Sequence, residues 1–376
     1  MSTQANGDVV SWVHFGDLHI TGENEQNYQD FLALIKQVNA NLAGQIDFAV
    51  LPGDNADDGS EEQFSLVKHA IDGLRAPLHI LPGDHDRKPG GLDAYYKVLA
   101  AERLPKALTV SGCRCLFLDI VSAGSGGPDF RLGADQTKWL EQELSAAERA
   151  KERSVVFMHA YPADLRENAK QVRDMFARYR VAAVDMGHTH YNELTNDGRT
   201  IYAATRSTGQ IEEGPVGFSV MAVDRGVVSW RFKPLDSAWP FVLITSPADH
   251  RLITNAEVRD QVAHGPFDVR ALAWSGDGIL TCACRIDDGP WLAMSRVSGT
   301  SSWQCSCEAP NRDFDLTVRA SDSAGKSDSP TIRVAREGYR APQRKADGSD
   351  ADAVGAWPEM GILGTQLGPN RNGRKW

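Results

Sequence analysis

Between residues 9 and 190 short apolar runs alternate with amphipathic stretches. The runs cover residues 9–15, 48–51, 78–81, 115–120, 155–158 and 181–186 and are rich in Val, Leu, Ile and Phe. Unbroken runs of this length are expected for strands buried on both faces. Helical periodicity fills the gaps. Residues 28–42 place Phe31, Leu34, Ile35 and Val38 on one face, and 61–74 and 135–149 follow the same pattern. The last of these opens with Asp135 as its expected N-cap and carries Trp139, Leu140 and Leu144 together. Such alternation predicts a layered α/β domain.

Beyond His190 the period shortens. Residues 191–197, 200–205 and 217–233 read as strands that can extend the first domain's sheet, with Asn196-Asp197-Gly198 as a hairpin turn. Pro234 and Pro240 mark a break. From 241 to 335 the pattern is all β, with runs at 269–274, 279–285, 291–294, 315–320 and 331–334 separated by Gly, Asp, Ser and Asn, as in a β-sandwich. The remainder is rich in Gly, Pro and charge and forms either a wrapped arm or a tail. Trp357, Ile362, Leu363 and Trp376 give an arm something to bury and favour that reading. The expected organisation is 1–236, 237–338 and 339–376.

Composition adds limits. A chain of 376 residues is too long for one ordinary core. A net charge of −10 argues against a nucleic-acid polymer as partner but permits a small phosphorylated substrate, because bound cations reverse the sign locally. No apolar stretch approaches the roughly 18 residues of a membrane span. The N-terminal residues lack an export pattern, so a cytoplasmic protein is expected. Any self-association would use the β-sandwich or the C-terminal arm. Six cysteines form three C-x-C pairs, Cys113/Cys115, Cys282/Cys284 and Cys305/Cys307. For the last four, core thiols, disulfides and a zinc site formed by two neighbouring strands all remain open.

The chemistry sits at strand ends. Asp17-Leu18-His19 follows the first run, Gly53-Asp54 the second, and Gly83-Asp84-His85-Asp86 the third. His159 and Gly187-His188-Thr189-His190 follow two later ones. Ligands of layered α/β folds gather beyond the carboxyl ends of strands, so these five segments are expected to converge. Nitrogen and oxygen donors without thiolate suit two divalent or mixed-valence ions of Mn, Fe or Zn. Asp17, His19, Asp54, Asp84, His159, His188 and His190 are too many for one tetrahedral ion. With one bridging carboxylate they suit a pair roughly 3.5–4 Å apart.

The order D-x-H, G-D, G-D-H-D, H, G-H-x-H resembles the signature of calcineurin-like metallophosphoesterases over residues 12–190. The contexts LPGDNADDG and LPGDHDR, with LGADQTKWL at 132–140, look most like the bacterial class III cyclic-nucleotide phosphodiesterase branch. The resemblance implies a four-layer α/β/β/α sandwich. It implies that Asp17, His19, Asp54 and His190 hold one ion, and that Asp54 bridges to a second held by Asp84, His159 and His188. It assigns His85 to the substrate phosphate and Asp57 to orienting His85. The implied reaction is phosphodiester hydrolysis by a hydroxide shared between the metals, on a cyclic nucleotide or another small diester. Separately, the stretch WSGDGILTCACRIDDGPWLAM, with Trp303 and LTVRASDSAGKSDS, resembles immunoglobulin-like modules and implies a smaller all-β sandwich.

Two departures matter. Asp84 stands where the family has Asn, and a natural variant, an altered residue and a step toward lost activity all fit that change. Position 58 is Asp rather than the phosphate-clamping Arg of protein phosphatases, and Asp57 stands where purple acid phosphatases place a Tyr. Both subclasses are disfavoured. A phosphomonoesterase on the same site, and a weakly active metal-bound scaffold that binds a partner, are the rival readings. Arg206 and Thr208 could lie near the metal loops, although a solvated surface position is the simpler expectation for the arginine. His14, His69 and His79 are expected to be structural.

Overall fold

The computed structural model describes residues 8–125, 127–255, 257, 260–336 and 352–365. In chain order the first eleven strands are β1 (Val9–Phe15), β2 (Phe48–Leu51), β3 (Leu78–Ile80), β4 (Lys106–Val110), β5 (Cys113–Phe117), β6 (Arg153–Phe157), β7 (Ala183–Met186), β8 (Glu193–Asn196), β9 (Ile201–Ala204), β10 (Gly217–Asp224) and β11 (Val227–Pro234). They form two sheets, ordered β11-β10-β1-β2-β3 and β4-β5-β6-β7-β9-β8. The helices are α1 (Gln26–Asn41), α2 (Glu61–Ile71), α3 (Asp93–Leu99), α4 (Ala134–Ala150) and α5 (Ala169–Arg178).

Alternate residues of β1 enter two different cores, which is why the strand reads as continuously apolar. Val10 and Trp12 pack between the sheets, where Trp12 stacks on Phe48 and meets Phe157 edge-on. Val9, Val13 and Phe15 face outward, and Phe15 packs on Phe31 of α1. Helix α4 covers the second sheet against β5 and β6. The result is the expected four-layer α/β/β/α sandwich.

The β-rich remainder contains β12 (Phe241–Ser246), β13 (Pro266–Trp274), β14 (Ile279–Ile286), β15 (Leu292–Ala293), β16 (Ser295–Arg296), β17 (Ser302–Glu308), β18 (Phe314–Asp322), β19 (Ser327–Asp328) and β20 (Thr331–Val334). These make one sheet ordered β12-β13-β17-β16 and another ordered β15-β14-β18-β19, with β20 on β18. This sandwich docks on the α/β layers through polar contacts. Asp224 accepts from Thr245 at 2.8 Å and Arg270 at 2.7 Å, and Ser301 donates to Gln45 at 2.7 Å.

Several local expectations shift. Helix α4 is capped at Gly133, and Asp135 lies in its first turn rather than at its cap. The run at 217–233 is a hairpin rather than one strand. Arg225 and Gly226 both take positive φ, the two-residue geometry that joins twisted antiparallel strands. An arginine is a weak signal for that turn. Of the arm, Trp357 and Ile362 are buried while Leu363 is 45% exposed. Trp376 lies outside the described residues. The arm runs beside β8, with Val354 N donating to Leu194 O at 3.0 Å.

One buried carboxylate ties the two α/β sheets together. Asp185 on β7 accepts from Trp12 Nε1 at 2.6 Å and lies 2.6 Å from His14 Nδ1, all three nearly inaccessible to water. His14 is thus structural. Asp185→Ala would leave two buried donors without an acceptor, at about 1–3 kcal/mol each. Urea unfolding is expected to show a loss of about 2–6 kcal/mol, and an unchanged midpoint would reject this role for the carboxylate.

Candidate metal centre

The loops after β1, β2 and β3 on one sheet, and after β6 and β7 on the other, meet at a common edge. They bring the seven expected ligands into two overlapping groups. Asp17, His19, Asp54 and His190 form one, and Asp54, Asp84, His159 and His188 form the other, all seven buried. Asp54 belongs to both. Its Oδ2 lies 3.7 Å from His19 Nε2 and 3.5 Å from His159 Nε2, while its Oδ1 accepts from His85 N at 2.8 Å.

The backbone is bent to achieve this. His19, Asp54, His188 and His190 all have positive φ, between 43° and 65°. Non-glycine residues rarely adopt that conformation, and it persists where surrounding contacts fix it. His19 N and Leu18 N both donate to Asp54 O, which locks the first two loops together. Close approach also explains a glycine. A Cβ on Gly53 would sit 2.3 Å from His159 Nδ1. His159 Nδ1 lies 3.0 Å from Pro52 O, so the proton resides on Nδ1 and Nε2 is turned toward Asp84, 3.2 Å away.

The donor set suits cations. His19 Nε2 and His190 Nε2 are 3.0 Å apart, close enough to share a proton or an ion. Asp17 Oδ1 is buried with no hydrogen-bond partner among the described residues, while its Oδ2 accepts from His188 N. Without ions, protons compensate for the charge. Burial opposes a charged His159, but Asp54, Asp84 and Asp17 outweigh it and raise its pKa well above the usual range. Asp54 is held well below its usual range, because His159, His19 and His85 overcome its burial. His190, buried beside His19, is pushed down to about 3 and stays neutral. Seven oxygen and nitrogen donors in two sets, with a shared carboxylate, fit two metal ions.

His85 and Asp57 stand beside the ligands. His85 Nδ1 lies 2.8 Å from the main-chain oxygen of Asp57 and 3.2 Å from its carboxylate. The same carboxylate is 3.4 Å from His19 Nδ1 and is held near 2, first by its hydrogen bond from His19. Asp57 therefore faces two imidazoles rather than one. The His85 ring meets His19 edge-on at 4.4 Å.

Residues 11–192 match the family described as Calcineurin-like phosphoesterase. These residues form a calcineurin-like phosphoesterase domain. A Fibrobacter succinogenes protein named as a probable cyclic nucleotide phosphodiesterase is 24% identical over 59% of this chain and 88% of its own length. Enterobacter lignolyticus glycerophosphodiester phosphodiesterase GpdQ is 26% identical over 52% of this chain and 76% of its own. The 3′,5′-cyclic adenosine monophosphate phosphodiesterase CpdA of Escherichia coli is 27% identical over 50% of this chain and 69% of its own.

The phosphoesterase domain also uses residues that the motif reading left without a role. Asp86 accepts from Gly83 N, Ala56 N and Asn55 Nδ2 at 2.8–2.9 Å, fixing the second loop to the third. Gln210 Nε2 lies 3.2 Å from both His19 Nδ1 and Asp57 Oδ1. No spacing rule marks Gln210, because it comes from the loop after β9. Phe130 walls the second group, edge-on to His188 at 4.9 Å. Arg206 is not on the surface. It is 1% exposed, pairs with Glu213 at 3.4 Å, donates to Gly361 O at 2.8 Å and covers the Phe232 ring. Thr208 is buried too, and its N donates to Asp17 O at 2.8 Å. Arg206 thus anchors the arm, and its neighbours brace the first metal loop.

Two outcomes are expected. Metal binding must displace protons from His19 and His159, both raised in pKa, so affinity rises with pH and binding releases protons. Calorimetry in two buffers of different ionisation enthalpy measures that release, and its absence would contradict the proposed ligands. Gly53→Ala should weaken metal affinity about 10–100-fold by disturbing the His159–Pro52 contact. Competition with a chelator measures the change, and wild-type affinity would reject the packing argument.

Proposed function

We propose that the chain is a two-metal phosphodiesterase acting on a small diester, a cyclic nucleotide or a glycerophosphodiester. The observation that carries this reading is the Asp54 carboxylate shared between two complete ligand groups, with His85 and Asp57 alongside. The diester preference draws support from the phosphodiesterase names of the three relatives. A cytoplasmic setting belongs to the same reading and fits the six free thiols. Mn, Fe or Zn all suit the oxygen and nitrogen donors.

Asp17, His19, Asp54 and His190 would hold one ion, and Asp54, Asp84, His159 and His188 the other. Such ions supply positive charge that activates water and neutralises phosphate oxygens. Within the chain, the work falls to His85. Its Nδ1 lies 2.8 Å from the Asp57 carbonyl oxygen, a contact that fixes the orientation of the ring. The Asp57 carboxylate, 3.2 Å from Nδ1, helps to orient the ring, so that His85 can stabilise charge on phosphate or give a proton to the leaving oxygen. Phe130 on one side and Gln210 on the other limit where the diester can lie.

Asp84 tunes the site without breaking its geometry. Its Oδ1 lies 3.2 Å from His159 Nε2 and 3.5 Å from His188 Nδ1, in the place a ligand needs. Three carboxylates offset most of the charge on two divalent ions, where an Asn would leave more of it for the substrate. A carboxylate here therefore favours tighter ion binding and weaker activation of the substrate.

With Mn(II) loaded, a generic aryl phosphodiester should be hydrolysed faster than its monoester. His85→Ala should keep both ions and lose about 10²–10⁴-fold in kcat. Asp84→Asn should bind metal more weakly. Absence of turnover on either substrate with two ions bound would overturn the enzyme reading, and loss of metal in His85→Ala would overturn the assignment of that residue.

A further inference from the structure

A second group of metal-ligating side chains lies in the β-sandwich, away from the phosphoesterase centre. Cys284 on β14 and Cys305 and Cys307 on β17 converge. The sulfur–sulfur distances are 3.2 Å for Cys284–Cys305, 3.7 Å for Cys284–Cys307 and 3.9 Å for Cys305–Cys307. The two strands belong to opposite sheets of the sandwich. Cys305 and Cys307, two apart on one strand, share its inward face, since their register partners Val269 and Phe267 both lie in the buried core. The fourth cysteine of the two C-x-C motifs, Cys282, is directed instead at Met294, with its Sγ 3.5 Å from the thioether.

We propose that Cys284, Cys305 and Cys307 form a trithiolate site for one thiophilic d10 cation, zinc(II) or copper(I), that clasps the two sheets of the sandwich. The geometry suits it. Zinc–thiolate bonds of about 2.3 Å in a tetrahedron set sulfur–sulfur edges near 3.8 Å. Two of the three edges already meet that value, and the third needs only to open slightly. Cys305 is half-buried, which leaves a fourth position reachable from solvent, whereas Cys284 and Cys307 are buried. Soft sulfur donors select such cations over the ions suited to the histidine and carboxylate centre. Packing alone gives little reason for three thiols to meet, because a buried cysteine serves merely as a small apolar side chain, and reactivity or metal binding more often decides its use. Cys113 and Cys115, the remaining C-x-C pair, sit on β5 outside this group and serve as an internal control.

Cobalt(II) titration of the reduced, metal-stripped full chain under anaerobic conditions separates the two centres. The phosphoesterase ligands contain no sulfur and give no thiolate-to-cobalt charge-transfer band. The band should appear, saturate at one equivalent beyond the two for the phosphoesterase centre, vanish in Cys284→Ser and Cys305→Ser, and persist in Cys113→Ser. Alkylation of wild-type Cys305, followed by peptide mapping, needs no variant to fold. Zinc(II) should slow it about tenfold or more by occupying the thiolate. No charge-transfer band at saturation, a band that survives in Cys284→Ser, or alkylation indifferent to zinc(II) would each overturn the proposal.

Discussion

The structure depends on one electrostatic constraint, the burial of three carboxylates and four imidazoles at the meeting point of two sheets. Such a cluster is costly unless opposite charge is present, because a buried ion without compensation loses its hydration for nothing in return. Protons supply part of that charge, drawn onto His159 and His19. Two cations would supply it more completely and would account for an Asp54 that faces both candidate ligand sets. The left-handed backbone at four of the seven candidate ligands follows from the same demand, since the loops must turn sharply to aim their side chains inward.

Most of this centre was legible in the sequence. Each ligand stands just past an apolar run, and a run of four to seven residues leads a strand to the sheet edge where ligands collect. The strands themselves were clear because burial on both faces removes polar interruptions, as in β1 and β2. Residues that support rather than bind were harder to find. Gln210 reaches His19 and Asp57 from a loop more than 150 residues further along the chain, and only the fold brings it there. Arg206 was misplaced because an isolated arginine in a polar loop resembles a surface residue. Its countercharge Glu213 stands seven residues on in the same loop, while the carbonyl of Gly361 comes from the arm, whose proximity no local pattern reveals. β17 was legible only as the strand expected to carry Cys305 and Cys307, and its bounds escaped because the alternation of Gln, Ser and Glu with Trp and Cys dilutes the apolar signal.

The C-terminal segments are structurally joined to the phosphoesterase domain. Arg206 connects the loop after β9 to the arm through Gly361, and Asn192, two residues past His190, donates to the same carbonyl at 2.8 Å. The β-sandwich is anchored through Asp224 at the end of β10, whose neighbour in the sheet is β1, the strand that delivers Asp17 and His19. The extra elements thus reinforce the scaffold that aims the ligands, and the arm braces the rim of the site.

The central claim is that Asp54 is shared by two ions. Anomalous diffraction at the manganese edge from crystals grown with Mn(II) tests it most directly. Two peaks should appear, one bounded by Asp17, His19, Asp54 and His190, the other by Asp54, Asp84, His159 and His188. A single peak, or a peak among His19, Asp57 and His85 instead, would contradict the account.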